Sequence, residues 1–206
     1  GYFAIPVTVF GVVGVINALN MVDGIDGLAA LTFCLPVLVL IGISGHNTFS
    51  LWLLLMLVCI SVFIVFNKSK KYKVFLGDNG SLLLGFILAW LLVYFSQGDS
   101  AIIKPVTALY LVALPIYDTI FVMINRFKSG KSPFKPDNTH LHHLFLAFGW
   151  SQARVLLAMI LSQSILVFLG VLFLYYGLAE YYQFYFYVLL SAVYYFSINK
   201  IWKSIT

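Results

Sequence analysis

Three short polar stretches hold most of the side chains in this sequence that could carry out acid–base or metal chemistry. The first motif, residues 17–28, reads NALNMVDGIDGL; the second motif, residues 75–85, reads FLGDNGSLLLG. The third is the histidine loop, residues 125–150, which reads NRFKSGKSPFKPDNTHLHHLFLAFGW. Carboxylates that hold a metal ion, beside cations that bind phosphate, are the groups that phosphoryl transfer requires. We therefore interpret the three stretches as parts of one site.

The first motif places Asn20, Asp23 and Asp26 at intervals of three residues where an apolar run ends. On a helix these side chains would lie on neighbouring faces near its C-terminal end, and Gly24 and Gly27 would then let the backbone turn sharply. A carboxylate at the negative end of a helix dipole, close to a membrane, needs a cation or strong donors. The alternative is a solvated helix terminus with ordinary turn residues.

In the second motif, Asp78 and Asn79 stand at the start of an apolar run, with Ser81 close behind. The simplest interpretation is an N-cap with Ser81 in the first turn. A helix N-terminus also binds anions, and a carboxylate there can hold Mg²⁺ while nearby amides meet a phosphate. The two roles are compatible.

The histidine loop contains His140, His142 and His143. Zinc is disfavoured because no cysteine accompanies them and His-x-His-His is not a fourfold tetrahedral set. Beside Arg126, which can bind two oxygens at once, the imidazoles are better explained as donors to a phosphate or pyrophosphate. Histidines without function are the alternative. The other charged residues of the loop are Lys128, Lys131, Lys135 and Asp137.

Asp118 is a fourth polar feature, placed inside the apolar run PIYDTIFVMINRF. An ionisable residue inside a membrane helix is a functional candidate by default, and pairing with a neighbouring helix is the alternative.

The elements that must position these residues are membrane helices. The chain is 62% hydrophobic and 9% charged with a mean hydropathy of +1.01, whereas about a quarter of residues are charged in soluble domains. We predict an all-α, polytopic membrane helical bundle of about seven transmembrane helices, because seven apolar runs have near-spanning length. The runs are 3–22, 27–45, 50–67, 80–96, 102–125, 154–178 and 182–202.

The basic residues predict the orientation of this bundle. Alternating connections place the loops 68–79 and 126–153 on one side, with almost all of the lysines and arginines, and leave only Lys104 near the other. The positive-inside rule makes the first side cytoplasmic. The formal charge of +5 is thereby explained without nucleic acid. The basic residues on that side are Lys68, Lys70, Lys71, Lys73, Arg126, Lys128, Lys131, Lys135, Arg154, Lys200 and Lys203.

NALNMVDGIDGLA, FLGDNGSLLLGF and SPFKPDNTHLHHL occur here in the order and spacing of a known family. The chain resembles the bacterial polyprenyl-phosphate N-acetylhexosamine-1-phosphate transferases, glycosyltransferase family 4. It is most similar to the branch that uses UDP-N-acetylglucosamine and undecaprenyl phosphate, which carries His-x-His-His. It is more distantly similar to the phospho-N-acetylmuramoyl-pentapeptide translocase, which carries three consecutive histidines.

The resemblance implies a reaction in which the lipid phosphate attacks the β-phosphorus of a UDP-N-acetylhexosamine, with Mg²⁺ as cofactor and Mn²⁺ as an alternative. The products would be UMP and a polyprenyl diphosphate sugar, the first intermediate of a cell-surface glycan. By motif, Asp78 and Asp23 would be the metal ligands, and Asn20 would bind the nucleotide. Catalytic roles are implied for Asp23, Asp26, His140, His142 and His143, and substrate binding for Asn20, Arg126, His140, His142 and His143.

The resemblance also implies a setting: a multi-pass protein of the bacterial cytoplasmic membrane with its site on the cytoplasmic face. Its partners would be the lipid bilayer, undecaprenyl phosphate and the nucleotide sugar, with no nucleic acid; a homodimer is left open.

One departure from the family concerns an aspartate pair in an earlier cytoplasmic loop, which this chain lacks. Since the chain also begins at Gly1, we expect residues 1–206 to be the C-terminal part of a single transferase domain and to be inactive alone. A transporter would instead carry polar groups through the membrane, and an inactive remnant would show degraded motifs.

Overall fold

Helices make up nearly all of the apolar sequence in this computed structural model, which describes residues 4–132 and 139–203. All of the regular structure in those residues is helical, so the all-α prediction is confirmed. The helices are α1 (Ala4–Val22), α2 (Leu28–Ser44), α3 (Thr48–Asn67), α4 (Gly77–Ser96), α5 (Pro105–Leu111), α6 (Ala113–Lys128), α7 (Leu141–Ala147), α8 (Gln152–Tyr175) and α9 (Glu180–Lys203), with a short 3₁₀ turn at Gly98–Ser100.

Four of the described helices, α1, α3, α4 and α8, are long and apolar enough to cross a membrane, and α5 with α6 would make a fifth span. The other two predicted spans fall on α2 and α9. Helix α2 is apolar but has only 17 residues, fewer than the roughly 20 that a span usually needs. Helix α9 has 24 residues but is rich in tyrosine and carries charges at both ends. The structure thus supports a multi-helix membrane protein with four or five candidate spans in the described residues, and the seven spans stay a prediction.

The apolar run 102–125, predicted as one straight span, is broken at Val112 into two helices that meet at 78°. Pro115 has no N–H group, so the carbonyl oxygen of Leu111 loses the donor that a continuous helix would supply. Gln163 of α8 replaces it: Nε2 donates to the Leu111 oxygen (2.6 Å), and Oε1 accepts from the Leu114 amide (3.0 Å). The buried glutamine therefore satisfies both sides of the break.

Helices α1 and α4 share the most extensive contact among the described helices. A methyl group at Gly85 would overlap the backbone of Ile16, so the two helices approach as closely as they do because this position has no side chain. At the same interface, the hydroxyl group of Ser81 donates to Oδ1 of Asn20 (2.5 Å). The contact brings the end of α1 next to the start of α4.

Helix α9 packs against α5 and α6 through one polar and aromatic stripe. Gln183 and Tyr187 are buried on it at the helical spacing of four residues. The hydroxyl group of Tyr110 donates to the Gln183 carbonyl oxygen (2.7 Å), and that of Tyr117 donates to the Tyr187 carbonyl oxygen (2.8 Å). These bonds hold α9 beside the broken span.

Candidate active site

The first motif forms a tight turn between α1 and α2. Helix α1 ends at Val22, so Asp23 and Asp26 lie in the turn and not on helical faces, as the three-residue spacing had predicted. The Asp23 amide donates to the Asn20 carbonyl oxygen (3.2 Å), which closes the end of the helix. The predicted sharp turn is present, with Gly27 in the left-handed region at φ 81°.

Asp78 lies in the first turn of α4 and is exposed to solvent. The predicted N-cap is wrong, because α4 begins at Gly77 and its N-cap residue, Leu76, offers no side-chain hydrogen bond. A carboxylate in the first turn is nevertheless favoured by the positive end of the helix dipole. Because it is exposed, its side chain is available to a ligand.

The carboxylates of the first two motifs crowd one another. Partial burial of the Asp23 side chain, together with the negative charges of Asp78 and Asp26, raises its pKa to about 6. Such crowding favours a bound cation or a proton. Within residues 4–132 and 139–203, no three His, Cys, Asp or Glu side chains lie together as a metal cage. Mg²⁺ needs only one or two carboxylates with phosphate oxygens and water, so Asp23 and Asp78 fit that ion.

Asp26 has a basic partner that the sequence analysis did not identify. Its carboxylate lies 2.6 Å from the ammonium group of Lys73 in the basic loop 68–79, with both side chains partly exposed. The loop is held by Asn67, whose side-chain amide donates to the Val74 carbonyl oxygen (2.8 Å). The pair ties the first motif to this loop and offsets one of the crowded negative charges.

The histidine loop is not entirely irregular: residues Leu141–Ala147 form α7, which packs against α8. Asp118, buried at 1% exposure, accepts three hydrogen bonds of 2.9 Å at the start of this helix. The donors are Nδ1 of His140, the Leu141 amide and the hydroxyl group of Tyr194 in α9. The alternative that Asp118 pairs with neighbouring elements is therefore confirmed. Tyr194 was missed, although it lies seven residues after Tyr187 on the stripe of α9.

His142 makes the direct contact between the histidine loop and the first motif. A methyl group at Gly24 would overlap its Nε2 atom, so the imidazole ring lies against the turn. The rings of His140 and His142 are stacked with their centroids 5.9 Å apart, and the His143 ring lies 4.1 Å from that of His142 at a tilt of 41°. Neither ring nitrogen of His142 has a hydrogen-bond partner among the described residues.

Burial, together with the neighbouring His143 and His140, lowers the pKa of His142 to about 4 although the negative charge of Asp118 opposes the shift. The ring is therefore uncharged at neutral pH. It retains one N–H group that can donate to an oxygen, but it does not supply a positive charge to a phosphate.

Arg126 supports the histidine loop from the last turn of α6. It is 8% exposed, and its Nε atom donates to the Ser132 carbonyl oxygen (2.7 Å). Lys135 and Asp137, with the rest of residues 133–138, lie outside the described residues. The structure thus gives Arg126 a bracing contact, and its predicted contact with substrate stays a prediction.

Two contacts bring the predicted stretches together at one end of the bundle. Asn20 accepts from Ser81, and His142 lies against Gly24. The negative charge of Asp78 also raises the pKa of Asp23. The site therefore combines carboxylates with the imidazoles of the histidine loop. This combination suits a phosphorylated ligand with a divalent cation.

Comparisons with known proteins identify a family whose sequences match these motifs. A family model described as glycosyl transferase family 4 matches residues 1–96, which include the first and second motifs. The undecaprenyl-phosphate alpha-N-acetylglucosaminyl 1-phosphate transferase of Escherichia coli (strain K12) is 35% identical over 169 residues, which are 80% of this chain and 46% of that protein. The chain belongs to glycosyl transferase family 4. The resemblance that the three motifs suggested is confirmed.

Other relatives of this family 4 chain carry the same name. The protein of Yersinia pestis is 37% identical over 137 residues, or 65% of this chain and 38% of the relative. That of Pasteurella multocida is 37% identical over 134 residues, with the same shares covered. The chain spans less than half of the length of each of these curated relatives.

Proposed function

We propose that this family 4 protein transfers an N-acetylhexosamine 1-phosphate from a UDP-sugar to undecaprenyl phosphate and releases UMP. N-acetylglucosamine is the first candidate sugar, because the relatives at 35–37% identity are named for it. The observation that carries the proposal is the meeting of all three motifs at one end of a membrane bundle. A site at that position can receive one water-soluble and one lipid substrate, and the product would begin a cell-surface glycan.

In the proposed reaction, an oxygen of the lipid phosphate forms a bond to the β-phosphorus of the UDP-sugar. The bond between the β-phosphorus and the bridging oxygen breaks, and UMP leaves with that oxygen on its phosphate. The nucleophile is already an anion, so catalysis consists mainly of positioning and of neutralising charge.

Different side chains would bind the metal, the nucleotide and the diphosphate or sugar of the substrate. Asp23 and Asp78 would hold Mg²⁺, or Mn²⁺ as an alternative, and the bound ion would neutralise charge on the diphosphate oxygens. Asn20, fixed by Ser81, would bind the nucleotide side. His140, His142 and His143 would donate hydrogen bonds to the diphosphate or the sugar, with Arg126 as a further candidate. Asp26 would act beside Asp23 while Lys73 holds it in place.

We also propose that the protein lies in the bacterial cytoplasmic membrane with loops 68–79 and 126–153 on the cytoplasmic side. The support is the excess of basic residues in those loops and the position of the site at the same end of the bundle. If α2, α9 and the bent pair α5–α6 all cross the bilayer, the predicted seven spans result.

The deciding experiment measures UMP release from the natural full-length protein in detergent, supplied with UDP-N-acetylglucosamine, undecaprenyl phosphate and Mg²⁺. We expect release that requires both the lipid and the metal. Release only with a different UDP-N-acetylhexosamine would keep the reaction and correct the sugar. No release with any of these donors would contradict the proposal.

A further inference from the structure

Asp118 is the most completely enclosed acidic side chain at the site, and its three donors come from two separate parts of the chain. It projects from α6, and its donors belong to the residue before α7, to the first residue of α7 and to α9. A carboxylate with 1% exposure is costly in a membrane protein unless donors surround it. Here each oxygen has at least one donor, so the group is a fixed point of the structure.

The bond to His140 sets the state of that ring. A carboxylate oxygen only accepts hydrogen bonds, so the imidazole must carry its proton on Nδ1 to make the contact of 2.9 Å. Nε2 is then the only ring nitrogen of His140 left for a ligand. The bond from the Leu141 amide also satisfies one of the free N–H groups at the start of α7.

We propose that Asp118 is a positioning residue: it fixes the tautomer of His140 and anchors α7, so that the ring of His142 lies against the first motif. The inference rests on the proposed function, which supplies the phosphorylated ligand that these imidazoles would bind. Asp118 itself does not touch the substrate. It acts through His140, whose ring is parallel to that of His142 within 4°, and His142 in turn lies against Gly24.

The variant Asp118→Asn separates tautomer control from anchoring. Its side-chain oxygen can still accept from Leu141 and Tyr194, but its NH₂ group would face Nδ1 of His140 and force the proton onto Nε2. Loss of the correct tautomer in a comparable carboxylate–histidine pair lowers turnover by about 10⁴-fold, and we expect a loss on the order of 10²–10⁴-fold here. Histidine-labelled ¹⁵N spectra should show that the protonated nitrogen of His140 changes, with the resonance assigned through His140→Gln.

Tyr194→Phe is the matched control, because it removes one donor to Asp118 and leaves the His140 bond intact. We expect a loss of turnover below about tenfold, in line with one hydrogen bond, and an unchanged His140 tautomer. Equal losses in both variants with no change of tautomer would overturn the proposal.

The ¹⁵N spectrum of the unmodified protein tests the tautomer without a turnover assay and without Asp118→Asn. Protonation of His140 on Nδ1 is expected in its ¹⁵N spectrum, and protonation on Nε2 alone would overturn the proposal. If no UDP-sugar is turned over, the proposed function fails, while the spectra still decide whether Asp118 controls His140.

Discussion

The three histidines of the loop have the same chemistry in sequence but different surroundings in the structure. His140 is held by Asp118, His142 is buried without a hydrogen-bond partner among the described residues, and His143 is only partly buried. The His-x-His-His pattern predicted that they act near a phosphate, but it could not distinguish them. The distinction depends on Asp118, which contacts His140, and on Gly24, which contacts His142. Both residues are distant from the histidines in sequence and are brought to them only by folding.

The low pKa of His142 predicts how stability changes with pH. Folding lowers this pKa from 6.5 to about 4, so the folded state favours the neutral ring. The resulting stabilisation is complete above about pH 6.5 and is lost as the pH falls towards 4, with an upper limit of about 3 kcal/mol. The thermal unfolding midpoint in detergent should therefore fall over this range.

His142→Gln isolates this effect from other groups that titrate in the same range, including Asp23, whose raised pKa acts in the opposite direction. The midpoint of the variant should fall less between pH 6.5 and 4 than that of the unmodified protein. An equal fall in both proteins would contradict the assignment.

Asp78→Asn tests the metal assignment at a single side chain. The substitution keeps the shape but removes a charge that a divalent ion needs, so we expect UMP release to fall by at least about 100-fold, as for other groups that stabilise charge in transfer reactions. Because Asp78 is exposed, the unfolding midpoint should change little. The measurement is UMP release across a Mg²⁺ titration. Asp99→Asn, an exposed carboxylate in the 3₁₀ turn, serves as the control, and full activity in Asp78→Asn would rule out its role as a ligand.

At the scale of elements, the apolar runs predicted where helices form, because each run must satisfy its backbone within one segment. They did not predict how the segments end or break. Asp78 resembled an N-cap, but the helix begins one residue earlier. The bend at Val112 had a local signal in Pro115, while the side chain that stabilises it, Gln163, lies about 50 residues away and could not be paired with it from sequence alone.

The contact between the turn of the first motif and α7 can be tested with Gly24→Ala. The added methyl group would overlap Nε2 of His142, so α7 would have to move away from the turn. We expect turnover to fall by more than about tenfold, since small displacements of positioned groups can cost about 10²-fold. UMP release and UDP-sugar binding would both be measured.

Gly11→Ala is the matched control for this substitution, because the same methyl group there meets no atom within 4 Å. It should be neutral or slightly stabilising within α1. Equal activity of the two variants would show that the contact with His142 is not needed.

At the scale of the whole molecule, the first motif, the second motif and the histidine loop meet at one end of the bundle. In the described residues, Asp118 is the acidic side chain inside a helical run, and its three donors satisfy it. A transporter would carry such groups along a path through the membrane, so the distribution favours a transferase. The intact contacts among the motifs also argue against an inactive remnant.

The proposed orientation of the bundle predicts which end is reached from outside the cell. In a background without Cys34 and Cys59, Lys131→Cys should be protected from a membrane-impermeant maleimide in intact cells, and Asp99→Cys should be labelled. Both positions are exposed in the structure, so protection would reflect the bilayer and not burial. Labelling of both positions should follow once the cells are opened, and the reverse pattern in intact cells would invert the topology.

The bond between Tyr194 and Asp118 also has a consequence for the order in which the chain folds during synthesis. The two residues are 76 positions apart, and the tyrosine belongs to the last helix described. While the ribosome is still making α9, Asp118 has at most two of its three donors, because Tyr194 is not yet in place. The carboxylate that anchors α7 is then incompletely hydrogen-bonded. The arrangement of Asp118, His140 and α7 described here can therefore be complete only after α9 has been made and has packed beside α6.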